Sequence, residues 1–237
     1  MGEGVVVGER GEPVPGGVPS GAGRVDGPSA GAVYEPVDYF RVASLGEIFG
    51  GLREGEWIEV DLGCGDGEFL VGMAKLYPER RFLGIERLLG RCRKVARKIR
   101  RGGLGNARVL RLDSCYALGW LLPERSVGRL HLLCPDPWPK RKQHKNRLTR
   151  QDEFLWGLER VMAEGGEVLV KSDHRGYFDE VRQTLGGLSW LREITWEEDE
   201  FPYVTTGFEK HWLAAGREIW RGRWRRDGGV EVEGGAA

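Results

Sequence analysis

Short apolar runs alternate with amphipathic stretches through most of this chain, and the two patterns predict different elements. Runs at 57–62, 81–85, 109–112, 129–133, 167–171, 190–196 and 212–220 read as strands. Between them, apolar positions at helical spacing predict helices at 68–77, 88–101, 150–162 and 177–185, the third ending at Gly165-Gly166. Such alternation specifies an α/β fold: a mostly parallel seven-stranded sheet with helices on both faces. Ligands of such sheets bind beyond the carboxyl ends of the strands, near the point where strand order reverses. Residues 1–35, rich in Gly, Pro, Val and Ser without periodicity, predict a disordered extension, and 227–237 a flexible tail. That leaves 36–226 as one domain.

Composition narrows the class. A chain of 237 residues can bury one substantial core. No apolar run approaches the ~20 residues of a membrane span, and the N-terminus lacks the shape of a signal peptide. Cys64, Cys92, Cys115 and Cys134 are scattered without metal-type pairing, which points to a reducing, cytoplasmic setting and no structural zinc. Net charge is zero, with 36 basic and 36 acidic residues, but the charge is blocked. Residues 87–111 hold ten Lys or Arg and no acid, and 140–150 hold six and no acid. Two such blocks favour a polyanion partner.

The first strand runs into Asp61-Leu-Gly63-Cys-Gly65-Asp-Gly67 and then a helix. Gly63 and Gly65 permit a tight turn and close backbone approach to a nucleotide-like ligand. The spacing is G-x-G-x-G, with Glu68 where a dinucleotide fingerprint needs glycine. Asp61, Asp66 and Glu68 repel a pyrophosphate and suit a cationic sulfonium, so S-adenosylmethionine fits better than NAD. Glu86, closing the second strand, is placed to accept ribose hydroxyls. Asp113, after the third, is placed to accept from an adenine amino group or to cap a helix. Asp136 ends the fourth strand inside Cys-Pro-Asp-Pro-Trp-Pro-Lys, residues 134–140. Its prolines fix a carboxylate and an indole beside positive charge. Lys140, His144, Lys145 and Arg147 follow, suited to RNA phosphates. His144 has no second ligand at metal spacing. Trp138 suits stacking on a base or, preferably, packing beneath the loop as a wedge for Asp136.

Taken together, DLGCGDGEFL, GIE at 84–86, CPDPWPKRKQHKNRL, KSD at 171–173 and TGFE at 206–209 carry a resemblance. Over residues 40–224 the chain resembles the bacterial tRNA (guanine-N7-)-methyltransferase family, a group of Rossmann-like class I methyltransferases. The resemblance implies methylation of a guanosine in the tRNA variable loop, with S-adenosylmethionine as cofactor, tRNA as partner and no metal. It carries cofactor roles to Asp61, Glu86, Asp113 and Asp136, the last also catalytic. RNA or substrate roles pass to Lys140, Lys142, His144, Lys145, Arg147, Asp173, Thr206, Gly207, Phe208 and Glu209. Thr206 and Glu209 are expected to close over substrate and Phe208 to pack. Asp61 stands where the family has Glu, Ser114 where Ala is common and Ser172 where Thr is usual. Asn146 interrupts a basic run, removing one charge from the RNA track. Two rivals stay open: a methyltransferase acting on another RNA, and an idle RNA-binding protein of the same fold. Monomer and homodimer are both compatible with the sequence.

Overall fold

The computed structural model describes residues 31–52, 55–197 and 200–227. The strands are β1 (Val33–Tyr34), β2 (Ile58–Leu62), β3 (Phe82–Glu86), β4 (Ala107–Arg111), β5 (Val127–Leu133), β6 (Met162–Ser172), β7 (Leu191–Ile194) and β8 (Trp220–Arg226). The helices are α1 (Leu45–Phe49), α2 (Glu68–Leu76), α3 (Leu89–Arg101), α4 (Ser114–Tyr116), α5 (Asp152–Val161), α6 (Arg175–Gly186) and α7 (Gly207–Ala214). They form one eight-stranded sheet in the order β1-β4-β3-β2-β5-β6-β8-β7. The strands from β1 to β6 run parallel, and β8 is antiparallel to both β6 and β7. Strand order reverses at β2, whose neighbours are β3 and β5.

Three expectations are corrected. The eighth strand is β1, where Val33 and Tyr34 pair with Val109 and Leu110 inside the stretch expected to be disordered. Residues 1–30 and 228–237 lie outside the described residues. The strand expected at 212–220 is divided between the end of α7 and the start of β8. A capping box at Thr206 and Glu209 starts a helix there, and the apolar run continues it. Finally, Gly165-Gly166 do not stop α5. The helix ends at Val161, and Met162 passes directly into β6, which carries both glycines through a register shift.

The two faces of the sheet differ. One packs Ile58, Val60, Leu130, Leu132, Val168 and Val170 against Phe154, Leu158, Tyr177 and Val181 of α5 and α6. The other is mainly apolar where α2 and α3 cover it, through Phe69, Met73, Val95 and Ile99 against Phe82, Ala107 and Val109. Over β2, β5, β6 and β8 the same face is charged. Glu167, fully buried, accepts from Arg129 at 2.9 Å, Arg223 at 2.6 Å and Arg225 at 2.8 Å. Arg223 also reaches Glu200 at 2.6 Å, and the ring of Phe201 lies 4.6 Å from the Arg129 guanidinium. His131 links Glu59 at 2.9 Å to the Tyr203 hydroxyl at 2.8 Å. A carboxylate only accepts, so Nε2 carries the proton and Nδ1 accepts from tyrosine. Burial keeps the His131 pKa below its ordinary value despite the pull of Glu59, in keeping with a neutral ring.

Residues 200–206 thus act as the cover of this charged face. Their outer side is fixed to α2: Tyr77 donates to the Pro202 carbonyl at 2.8 Å, and Val204 fills the space left by Gly72, where a Cβ would lie 2.8 Å from it.

Removing the central charge leaves the arginines buried and unmatched. Glu167→Gln is expected to cost about 3–5 kcal/mol by urea denaturation. Arg225→Gln, at a half-exposed position, is expected to cost far less in the same measurement.

Candidate active site

The parallel strands deliver their acids to one edge. Asp61 is the penultimate residue of β2 and Glu86 the last of β3. Asp113, Asp136 and Asp173 follow the ends of β4, β5 and β6. The β2–α2 loop turns through Gly63, Gly65 and Gly67, all at positive φ. Above Gly63 the space is open, whereas a Cβ on Gly67 would lie 2.8 Å from Val95 of α3. The first glycine leaves room for a ligand, and the third lets α2 and α3 close.

Asp61 is buried, and its Oδ2 has no hydrogen-bond partner among the described residues. Burial, reinforced by the charge of Glu86, pushes its pKa from 3.8 up to about 7. Glu86 is also buried; one oxygen accepts from the Leu88 N–H at 2.7 Å and the other faces Arg91 at 3.7 Å. Asp113 caps α4 through Oδ1, accepting from Cys115 at 2.9 Å and Tyr116 at 3.2 Å, while Oδ2 enters neither bond. An unmatched buried acid beside a second acid favours a ligand with N–H donors and positive charge. The amino group and sulfonium of S-adenosylmethionine meet that need, so these residues fit the cofactor.

β5 ends at Leu133, and Asp136 lies three residues beyond it, exposed in the loop. Cys134 and Trp138, each preceding a proline, hold φ values of 46° and 44°. Both are left-handed, a region costly for a bulky residue. The Trp138 N–H donates to Asp136 Oδ1 at 3.0 Å. The backbone amide of Trp138 thus fixes one oxygen of Asp136, while the indole itself is half-buried.

Arg147 is the main correction among the basic residues. Expected on the RNA track, it is 4% exposed. Its guanidinium donates to the Pro137 carbonyl at 2.9 Å and to Glu180 of α6 at 2.6 Å, and it lies 5.1 Å from the centre of the Tyr177 ring. His144 Nε2 sits 3.1 Å from the same group. Arg147 braces the proline corner against α6 and is buried away from the surface. Lys140, Lys142 and Lys145 remain exposed on the outside of this loop.

The 206–209 element is similarly turned inward. Thr206 accepts from the Glu209 N–H at 3.0 Å, and Glu209 accepts from the Thr206 N–H at 2.9 Å and pairs with Lys171 at 2.6 Å. Glu68, at the start of α2, accepts from the Gly207 N–H. Gly207 and Glu209, expected to contact substrate, instead latch α7 to the start of α2 and to β6. Phe208, expected to pack, is 47% exposed and meets only the edge of Trp212 among the ring contacts. Asp173 is half-buried beside Cys134. Burial together with the charges of Glu209 and Asp173 pushes the Cys134 thiol up to about 12, so β5, β6 and α7 converge here.

Sequence reasoning missed Glu68 and Lys171 as latch partners, and Glu59 and Tyr203 as partners of His131. The available signal was a polar residue inside an apolar run, as at His131. Among the described residues no cluster could hold a metal ion, and no helix is long and apolar enough to cross a membrane.

Two outcomes follow from this geometry. With Asp61 raised above the unfolded carboxylate value, the folded protein binds a proton between about pH 4 and 7 that the unfolded chain releases. The free protein should therefore gain stability on acidification through that window, and Asp61→Asn should abolish that part of the gain in melting curves. Cofactor affinity, measured by calorimetry, should move the opposite way and weaken as pH falls below about 7. Arg147→Ala should cost about 2–3 kcal/mol in thermal melts, as loss of charge-assisted bonds does; Lys145→Ala should leave the melt unchanged.

Comparison with known proteins identifies the family. A family model described as a putative methyltransferase matches residues 56–222. The tRNA (guanine-N(7)-)-methyltransferase of Chlorobium phaeobacteroides is 35% identical over 162 residues, which are 68% of this chain and 78% of that protein. That of Nitrosococcus oceani is 32% identical over 183 residues, covering 77% and 76%. The Thermotoga maritima protein of the same name is 33% identical over 172 residues; the match spans 73% of this chain but 54% of that protein's length. In structure, the 16S rRNA methyltransferase KamB superposes with a TM-score of 0.56 at 19% identity, over 83% of this chain and 99% of that one, a likeness of fold. The chain belongs to the tRNA (guanine-N(7)-)-methyltransferase family.

Proposed function

We propose that this protein methylates guanine N7 in the variable loop of tRNA, using S-adenosylmethionine, in the cytoplasm. The observation that carries the reading is the row of strand-end acids, with buried Asp61 unmatched at one side and exposed Asp136 at the other. When bound, S-adenosylmethionine supplies an electrophilic methyl group on a sulfonium centre. Asp61, Gly63, Gly65, Glu86 and Asp113 hold it. Guanine N7 has a lone pair and no proton, so the protein needs no general base to create the nucleophile. Its work is placement and charge.

Asp136 has one oxygen fixed by the Trp138 amide, which leaves the other to face the purine as it becomes cationic. A carboxylate held in place before the reaction stabilises that charge without reorganising. Asp173 accepts from the N1 and amino edge of guanine, and Lys140, Lys142 and Lys145 take phosphates. Arg147 and His144 act one step back, holding the corner. The Thr206–Glu209 latch closes the cofactor side by fixing α7.

The test is to incubate the protein with bulk tRNA and methyl-labelled cofactor and to map the modified base. Label at guanine N7 in the variable loop is expected, whereas label on a cytosine or on ribosomal RNA alone overturns the reading. Asp136→Ala should lower kcat by roughly 10²-fold, the scale for losing one preorganised charge-stabilising group. Near wild-type turnover would remove Asp136 from the chemistry.

A further inference from the structure

Surface arginines of this protein are commonly matched to acids. Arg125 pairs with Glu164 at 3.2 Å, Arg175 with Asp179 at 3.0 Å and Arg182 with Glu193 at 3.0 Å. The outer face of α3 departs from this. Arg93, Arg97 and Arg101 are exposed, and none pairs with a carboxylate among the described residues. They stand four residues apart, on the side opposite Cys92, Val95, Ala96 and Ile99, which are buried. The stripe spans about 12 Å along the helix axis. Like charges at this spacing repel one another. A favourable interaction with the helix dipole accounts for Arg101 in the last turn, but not for Arg93 or Arg97.

The position of the stripe names its partner. α3 starts three residues after Glu86, at the cofactor edge, and runs away from it along the flank of β3 and β4. The exposed lysines of 140–145 spring from the end of β5. β3 and β5 are the two neighbours of β2, so the cationic tracts flank the cofactor loop from strands about 10 Å apart. A base delivered between them has its own backbone on either side. Guanidinium groups on a rigid helix suit phosphate and read no sequence.

We propose that the outer face of α3 is a second tRNA-backbone site, engaging phosphates away from the target base. This rests on the proposed tRNA reading. The site contributes affinity and orientation of the tRNA body, and takes no part in methyl transfer.

The experiment compares the full chain with Arg93→Gln/Arg97→Gln/Arg101→Gln and with the corresponding triple Lys variant, using bulk tRNA. The Gln variant should lower the salt slope of tRNA binding, measured without cofactor, by about 2 to 3, at roughly 0.7–0.9 per lost phosphate contact. Its KM for tRNA should rise on the order of tenfold, with kcat at saturating tRNA and melting temperature unchanged. The Lys variant should recover the slope, which a merely structural helix defect would not show. A Gln variant with wild-type slope and KM overturns the proposal, as does a change confined to self-association. Wild-type protein that binds tRNA with this slope but transfers no methyl would sink the tRNA-methylation reading and leave α3 standing. Failure to bind tRNA at all would sink both.

Discussion

Charge buried on a sheet must be matched within the sheet or by whatever covers it. Glu167 is where this protein meets that constraint. One carboxylate draws Arg129 from β5 and both Arg223 and Arg225 from β8, so the antiparallel strand is fixed beside β6 by charge as well as by its ladder. Arg223 then reaches Glu200, and the adjoining Phe201 and Tyr203 close over Arg129 and His131. The segment that leads into α7 is held by that chain of partners. Through Glu209 on Lys171 and Gly207 on Glu68, the same segment ends against the cofactor loop.

Against this background Asp61 stands out. It lies on the same face, two residues from Glu59, and is buried like its neighbours. Glu59 has Arg80 and His131, and Glu167 has three arginines, but one oxygen of Asp61 has none. In one layer of polar residues, the matched acids hold the fold and Asp61 keeps an oxygen without a partner among the described residues.

The sequence made most of the parallel half of the fold readable because β2, β3, β5 and β6 are each a short apolar run with an amphipathic helix after it. The glycine loop and the strand-end acids were readable for the same reason. They sit at fixed places relative to those runs. Burial decided by distant partners was not readable. Arg147 resembles Lys145 in sequence, and only the Pro137 carbonyl, Glu180 and the Tyr177 ring, brought alongside by folding, bury it. Val33–Tyr34 is too short to show a period, and only its pairing with β4 makes it a strand. The start of α7 was written locally as Thr-x-x-Glu, yet the apolar run 212–220 outweighed it. Phe208 illustrates the converse, an aromatic whose exposure follows from the helix face it occupies.

The charged half of the sheet is assembled from both ends of the domain. Glu59 and Arg129 are synthesised before Tyr203, Arg223 and Arg225, which lie about 70 or more residues further on. On the ribosome, β2 and β5 therefore emerge well before the groups that cover them, and water must solvate their polar side chains until residues 200–226 arrive. A nascent chain interrupted before β8 lacks Trp224 from its apolar face and leaves its opposite face wet. Completion of the charged half thus waits on residues that follow, in sequence, the strands they cover.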